Sequence, residues 1–93
     1  MMPEIKSEQP GDEYIEPVTS IWDGGKKYHI VTEIPDVSEE KIRIDLEHNH
    51  LIIYASNSER RYKKEIIISD QVRLGTKKFN DGILQITLDK IGT

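Results

Sequence analysis

The sequence predicts an all-β domain, an immunoglobulin-like two-layer antiparallel sandwich of about seven strands. Short runs of alternating apolar and polar residues recur from Pro17 onward, turn residues separate them at roughly regular spacing, and no segment reads as a long helix. At 93 residues the chain has room for a single core. A domain of this size buries only somewhat over half of the surface that its unfolded chain exposes. With 35% hydrophobic and 32% charged residues it is polar, yet it keeps enough apolar side chains to fill a sandwich.

Residues 1–16 contain Pro3, Pro10, Gly11 and five acidic residues among few apolar anchors, and are expected to form a flexible acidic N-terminal arm. The sandwich is expected over residues 17–90, with 91–93 as a short C-terminal end. Val18, Ser20 and Trp22 alternate with Thr19 and Ile21 in a first short strand, and Asp23-Gly24-Gly25 turns the chain into Tyr28. The β-formers of Tyr28 to Ile34 make the second strand, which stops at Pro35-Asp36 because proline removes a ladder donor. In the loop that follows, Ser38 is placed to cap at most one helical turn.

The clearest strand is Lys41 to Glu47, in which Ile42, Ile44 and Leu46 share one face and Lys41, Arg43, Asp45 and Glu47 the other. A tight turn at Asn49 folds Leu51 to Ala55 back against it. Tyr62 to Ile68 is the next strand, and Ser69-Asp70-Gln71 is a corner. Arg73 to Phe79 alternates weakly and carries Gly75 and two lysines, as an edge strand does. Asn80-Asp81-Gly82 is a strong turn signal before Ile83 to Leu88 closes the sheet.

Several chemistries lose ground on composition. The chain has no cysteine, so a disulfide framework, a thiolate zinc site and a cysteine nucleophile are all unavailable. A net charge of −4 and a pI near 5.3 argue against a general nucleic-acid binder, which needs a basic surface to neutralise phosphates. The longest apolar runs, Leu51 to Ala55 and Ile66 to Ile68, are too short for a membrane span or a signal-peptide core, and the protein is expected in the cytoplasm. His48-Asn49-His50 would set two imidazoles on one face of a strand, but a metal site needs a further ligand, and an ordinary solvated turn is the preferred reading. No serine lies in a nucleophile elbow, and Gly24-Gly25-Lys26 lacks the spacing of a phosphate loop. No catalytic residue, metal ligand or cofactor is therefore expected. The basic cluster of Arg60, Arg61, Lys63 and Lys64 is bracketed by Glu59 and Glu65 and reads as a solvated strand end.

The order of these segments resembles the α-crystallin domain of small heat-shock proteins from Pro17 to Lys90. Pro17 to Asp23 looks like that family's entry strand, Tyr28 to Asp36 like its strand ending in proline-glycine, with Asp36 in place of the glycine, and Lys41 to Tyr54 like the following hairpin. Ile68-Ser69-Asp70-Gln71-Val72 is similar to a leucine-proline-x-x-valine corner, and Asn80-Asp81-Gly82-Ile83-Leu84 to the asparagine-glycine-valine-leucine turn. Lys77 stands where the family usually has alanine, and Lys64 where it has an arginine associated with the dimer interface.

The resemblance implies an ATP-independent chaperone that binds exposed apolar segments of non-native client proteins, and not an enzyme. The family's client groove maps onto Ile42, Ile44, Leu46, Val72, Leu74 and Thr76, which are either a usable groove or plain core. Ile52 and Tyr54 lie opposite Leu51, Ile53 and Ala55 on a strand whose outer face is usually polar. They, with Tyr62, are either covered by the chain itself or form an interface. The alternative function is that of an adaptor like the CS-domain co-chaperones, bound to one defined partner, which the short connection Ser56 to Arg61 favours. That connection is too short for the family's strand swap, and the chain stops at Ile91-Gly92-Thr93 without an isoleucine-x-isoleucine tail. A monomer or dimer is therefore expected in place of a large shell, with no nucleic-acid or membrane partner.

Overall fold

A computed structural model describes residues 14–91. Seven strands follow one another: β1 (Thr19–Asp23), β2 (Lys27–Glu33), β3 (Ile42–Glu47), β4 (His50–Ser56), β5 (Arg61–Ile67), β6 (Val72–Asn80) and β7 (Ile83–Lys90). They form a four-stranded sheet in the order β1-β2-β7-β6 and a three-stranded sheet in the order β3-β4-β5. All pairings between these strands are antiparallel. The only helical element among the described residues is a single 3₁₀ turn, Glu39–Lys41, so the predicted sandwich is observed. Ser38 precedes that turn in an extended conformation, but its side chain makes no capping hydrogen bond, contrary to the expectation.

The core follows from period-two alternation on the central strands. Leu51, Ile53 and Ala55 of β4 face inward, as do Leu84, Ile86 and Leu88 of β7 and Ile30 of β2, and all are buried. Each fully buried leucine or isoleucine contributes about 1.5–3 kcal/mol relative to exposure. Thr32 is the one buried polar side chain among the described residues, and its hydroxyl lies 3.4 Å from the Thr19 hydroxyl. Ile44 faces inward opposite Ile53 but is only half-buried, because β3 is the outermost strand of its sheet.

Turn chemistry explains the hairpins. Asp81 and Gly82 both take positive φ, 52° and 77°, and form the two-residue connection that matches strand twist. Between β3 and β4 the left-handed residue is His48, with φ of 58°, and not Asn49. Asn49 instead donates its side-chain amide to the Ile68 carbonyl, while its own carbonyl accepts the Ile68 N–H at 2.9 Å, which ties this turn to the β5–β6 corner. Asp36, at the position where the resemblance expects glycine, has φ of 62°. A side chain in that region costs about 1–2 kcal/mol, partly offset by the extra freedom glycine brings to the unfolded chain. Asp36→Gly is accordingly expected to raise stability by about 0.5–1 kcal/mol, measured as a higher urea midpoint with an unchanged slope.

Tyr14 to Glu16, assigned to the flexible arm, dock on β5: Ile15 forms a parallel bridge with Tyr62, donating to the Arg61 carbonyl at 2.7 Å and accepting from the Lys63 N–H at 3.1 Å. Glu16 pairs with Lys64. The rest of the expected arm, residues 1–13, lies outside the described residues, as do 92 and 93 of the C-terminal end.

At one end of the sandwich Lys90 bonds both carboxylate oxygens of Asp23 at 2.9 Å, joining the β1–β2 turn to the end of β7. The Lys90 hydrogen bond, followed by the Gly25 N–H, holds the Asp23 carboxyl below its ordinary value of 3.8. A carboxylate whose pKa is depressed on folding contributes stability above its unfolded pKa and loses it as pH falls through the folded value. Asp23→Asn is therefore expected to lower the melting temperature at neutral pH, and the difference from wild type should shrink as pH falls through the lowered pKa of the folded-state carboxyl.

Candidate functional site

Ile21 and Trp22 of β1 line a cleft of about 320 Å³ with Ile67 and Ile68 at the end of β5. The β1 edge thus overlies the β5 edge, and the strand orders place β6 over β3 on the opposite side. Both β3 and β6 are edge strands, so a groove between them presents inward-facing side chains together with unpaired backbone.

Of the six groove residues expected from the sequence, Ile42 and Val72 are buried in the core, and Ile44 and Leu46 are half-buried against it. Leu74, opposite Leu88, is 44% exposed. Thr76 does not face the groove. The ladder pairs Leu74 with Leu88 but Lys77 with Ile86, so β6 carries one extra residue between them, a β-bulge. The bulge turns Thr76 to the outer face, where its N–H bonds the Thr87 hydroxyl at 2.8 Å and the two hydroxyls lie 2.9 Å apart. Lys77 takes the inner-row position instead. Gly75 permits this arrangement, because a Cβ there would come within 2.6 Å of the Thr87 hydroxyl. Of the expected groove residues, Ile44, Leu46 and Leu74 are thus the partly exposed apolar ones. Near the β3–β4 turn a cleft of about 370 Å³ is bordered by His48, Asn49, Val72 and Ile91.

The second expected set divides. Ile52 and Tyr54 lie on the outer face of the three-stranded sheet and are half-buried. Tyr54 is covered by the chain itself: the Tyr14 ring packs 6.4 Å away, and Arg43 and Lys63 sit over the Tyr54 ring at 5.6 and 5.7 Å. Tyr62 belongs with neither. It pairs with Ala55, points inward and is 5% exposed, so it is a core residue and not a surface contact. Its phase on β5 is that of Lys64 and Ile66, opposite to the outward row of Lys63, Glu65 and Ile67.

The sequence reading missed an apolar patch on the other edge. Ile67 is 76% exposed, and Val18, Ile21 and Trp22 of the β1 region are also exposed. The signal was present in Ile66-Ile67-Ile68, since a strand that alternates must turn the middle member of such a triplet outward. The short connection after β4 is closed on itself: the Asn57 carboxamide oxygen accepts the Glu59 and Arg60 N–H groups at 2.7 Å, and its Nδ2 donates to the Asp36 carbonyl. His48 and His50 are not joined by further ligands, and among the described residues no group of three His, Cys, Asp or Glu side chains is placed to hold a metal ion.

Two sheets in the orders β1-β2-β7-β6 and β3-β4-β5 share the α-crystallin fold of solved small heat shock proteins. Among solved structures the chain is similar to heat shock protein 16.0 from Schizosaccharomyces pombe, with a TM-score of 0.72 and 18% identity over 83% of this chain and 88% of that one. It is similar also to a small heat shock protein from the Synechococcus phage S-ShM2, at 0.66 and 24% over 81% and 87%. A third likeness is to a small heat-shock protein from Xylella fastidiosa, at 0.70 and 16% over 83% and 87%. No protein-family model and no curated protein sequence matches the chain.

Proposed function

We propose that the protein is a cytoplasmic, ATP-independent chaperone of the small heat-shock type that holds exposed apolar segments of non-native proteins in the β3–β6 groove. The observation that carries this reading is the partial exposure of Leu74, with half-buried Ile44 and Leu46, on two free sheet edges of an α-crystallin fold. An extended client segment entering there would gain main-chain hydrogen bonds from an edge and apolar contacts for alternate side chains. The function needs no catalytic group or cofactor. The matched structures are small heat shock proteins, which supports a general holdase over a single-partner adaptor.

Light scattering of a client protein that aggregates on heating tests the proposal. Wild-type protein is expected to suppress aggregation, and Leu74→Asp to lose most of that suppression while shifting stability by no more than about 1 kcal/mol, since Leu74 is already partly solvated. Absence of suppression by the wild type would leave the adaptor reading in its place. The self-closed Asn57 to Arg60 connection has no spare length for strand exchange, which supports a monomer or dimer. Tyr54 is assigned in this reading to seating the chain's own Tyr14.

A further inference from the structure

The sandwich has four sheet edges, and they are not equally protected. The β6 edge carries a bulge and the charges of Arg73, Lys77 and Lys78. The β3 edge alternates Arg43, Asp45 and Glu47. The β5 edge is capped at its start by Ile15. Bulges, charged side chains and covering segments are the devices that block edge pairing. β1, Thr19-Ser20-Ile21-Trp22-Asp23, is the least protected among the described residues: its register with β2 is regular, it contains no Lys, Arg or Pro, its one charge is Asp23 at the end, no described segment covers it, and Ile21, Trp22 and the neighbouring Val18 and Ile67 are exposed.

The ladder parity shows which backbone groups β1 leaves open. The Glu33 N–H bonds the Val18 carbonyl at 2.9 Å, and the Gly24 N–H bonds the Lys27 carbonyl at 2.8 Å. Both fall on even positions of the β1–β2 register, so Ser20 and Trp22 also exchange their backbone bonds with β2. The N–H and C=O groups of Thr19, Ile21 and Asp23 consequently point away from the sheet.

We infer that β1 is the surface through which two copies of this chain associate, pairing antiparallel about a two-fold axis at Ile21. The sequence of β1 is complementary to itself in that register. Ile21 meets Ile21 of the second copy beside the exposed Ile67, Thr19 meets Asp23, and Ser20 leaves room next to the Trp22 indole. Asp23 is the only charge on the strand, and it is already bound to Lys90, so no like charges are opposed. The result is a continuous eight-stranded sheet closed by an isologous contact. A five-residue edge buries less than the roughly 1,200 Å² of a stable interface, so the dimer is weak and concentration-dependent.

Sedimentation equilibrium from ~1 μM to ~1 mM is expected to show a monomer–dimer equilibrium. Amide exchange should slow with concentration at Thr19, Ile21 and Asp23 and stay constant at Ser20 and Trp22, and the emission of Trp22, the single tryptophan, should shift in step with the dimer. Ile21→Pro removes one outward N–H and no β1–β2 bond. Ile21→Lys and Ile21→Asp each place a charge opposite its own copy, and each should weaken association by roughly tenfold or more, whereas mixing the two variants should restore it. A protein that stays monomeric at ~1 mM, or a dimer indifferent to all three substitutions, would overturn the inference.

Discussion

Replacing Ile53 with aspartate is expected to remove most of the stability of the folded state. Ile53 is the middle residue of β4, the central strand of its sheet, and is 1% exposed with Ile44 and Lys64 beside it in register. The one cationic neighbour in register, Lys64, is already paired with Glu16, and the buried position gives a carboxylate no route to water. The substitution should cost about 4 kcal/mol or more, between the lost apolar burial and the unpaired polar group, against a total stability of about 5–10 kcal/mol for a domain this size. Circular dichroism and urea titration would record the loss. Ile44→Asp is the instructive partner, because Ile44 faces the same way from an edge strand and is half-buried. Its carboxylate can reach solvent through the groove, so a smaller cost of about 1–3 kcal/mol is expected. Equal penalties at the two positions would mean that the β3–β6 groove is closed and that the client site lies elsewhere.

Truncating Tyr62 to alanine is expected to cost about 3 kcal/mol or more, as aromatic-to-alanine changes in a core do. The ring is buried on the inner face of β5, next to Ala55 and under the bridge to Ile15. Its loss should also release Tyr14 to Glu16 from the β5 edge, which would appear as faster exchange of the Ile15 and Lys63 amides, whose bonds form that bridge. A variant with wild-type stability but altered association would restore Tyr62 to the surface role that its neighbours on the sequence implied.

The difference between these two positions marks how far pattern alone reaches. On β3 the charges all fall on one row and the aliphatic residues on the other, so the inner face was legible from the sequence. On β5 each row carries charge and apolar groups, with Tyr62, Lys64 and Ile66 in one and Lys63, Glu65 and Ile67 in the other. Alternation then separates two faces without saying which is buried, and Tyr62 was grouped with Ile52 and Tyr54 although it points the other way. Thr76 was misplaced for a different cause: the extra residue of the bulge shifts phase within one strand, and what accommodates it is Thr87, eleven residues later in the chain.

The sequence by itself determined the strand content, the main turns, the inner face of β3 and β4 and the α-crystallin order of segments, because each of these depends on period-two alternation or on residues a few positions apart. Only the tertiary structure decided which strands lie at edges. That placement left Ile44, Leu46 and Leu74 partly open, moved the left-handed residue of the β3–β4 turn to His48, seated Tyr14 and Ile15 on β5, and exposed Ile67 beside β1. Edge position is a property of the sheet order, and that order is settled by which faces pack against one another across the whole chain. A local run of residues carries the same alternation at the centre of a sheet as at its rim, and the free energy of its outward groups depends on whether another strand or only water lies beyond them.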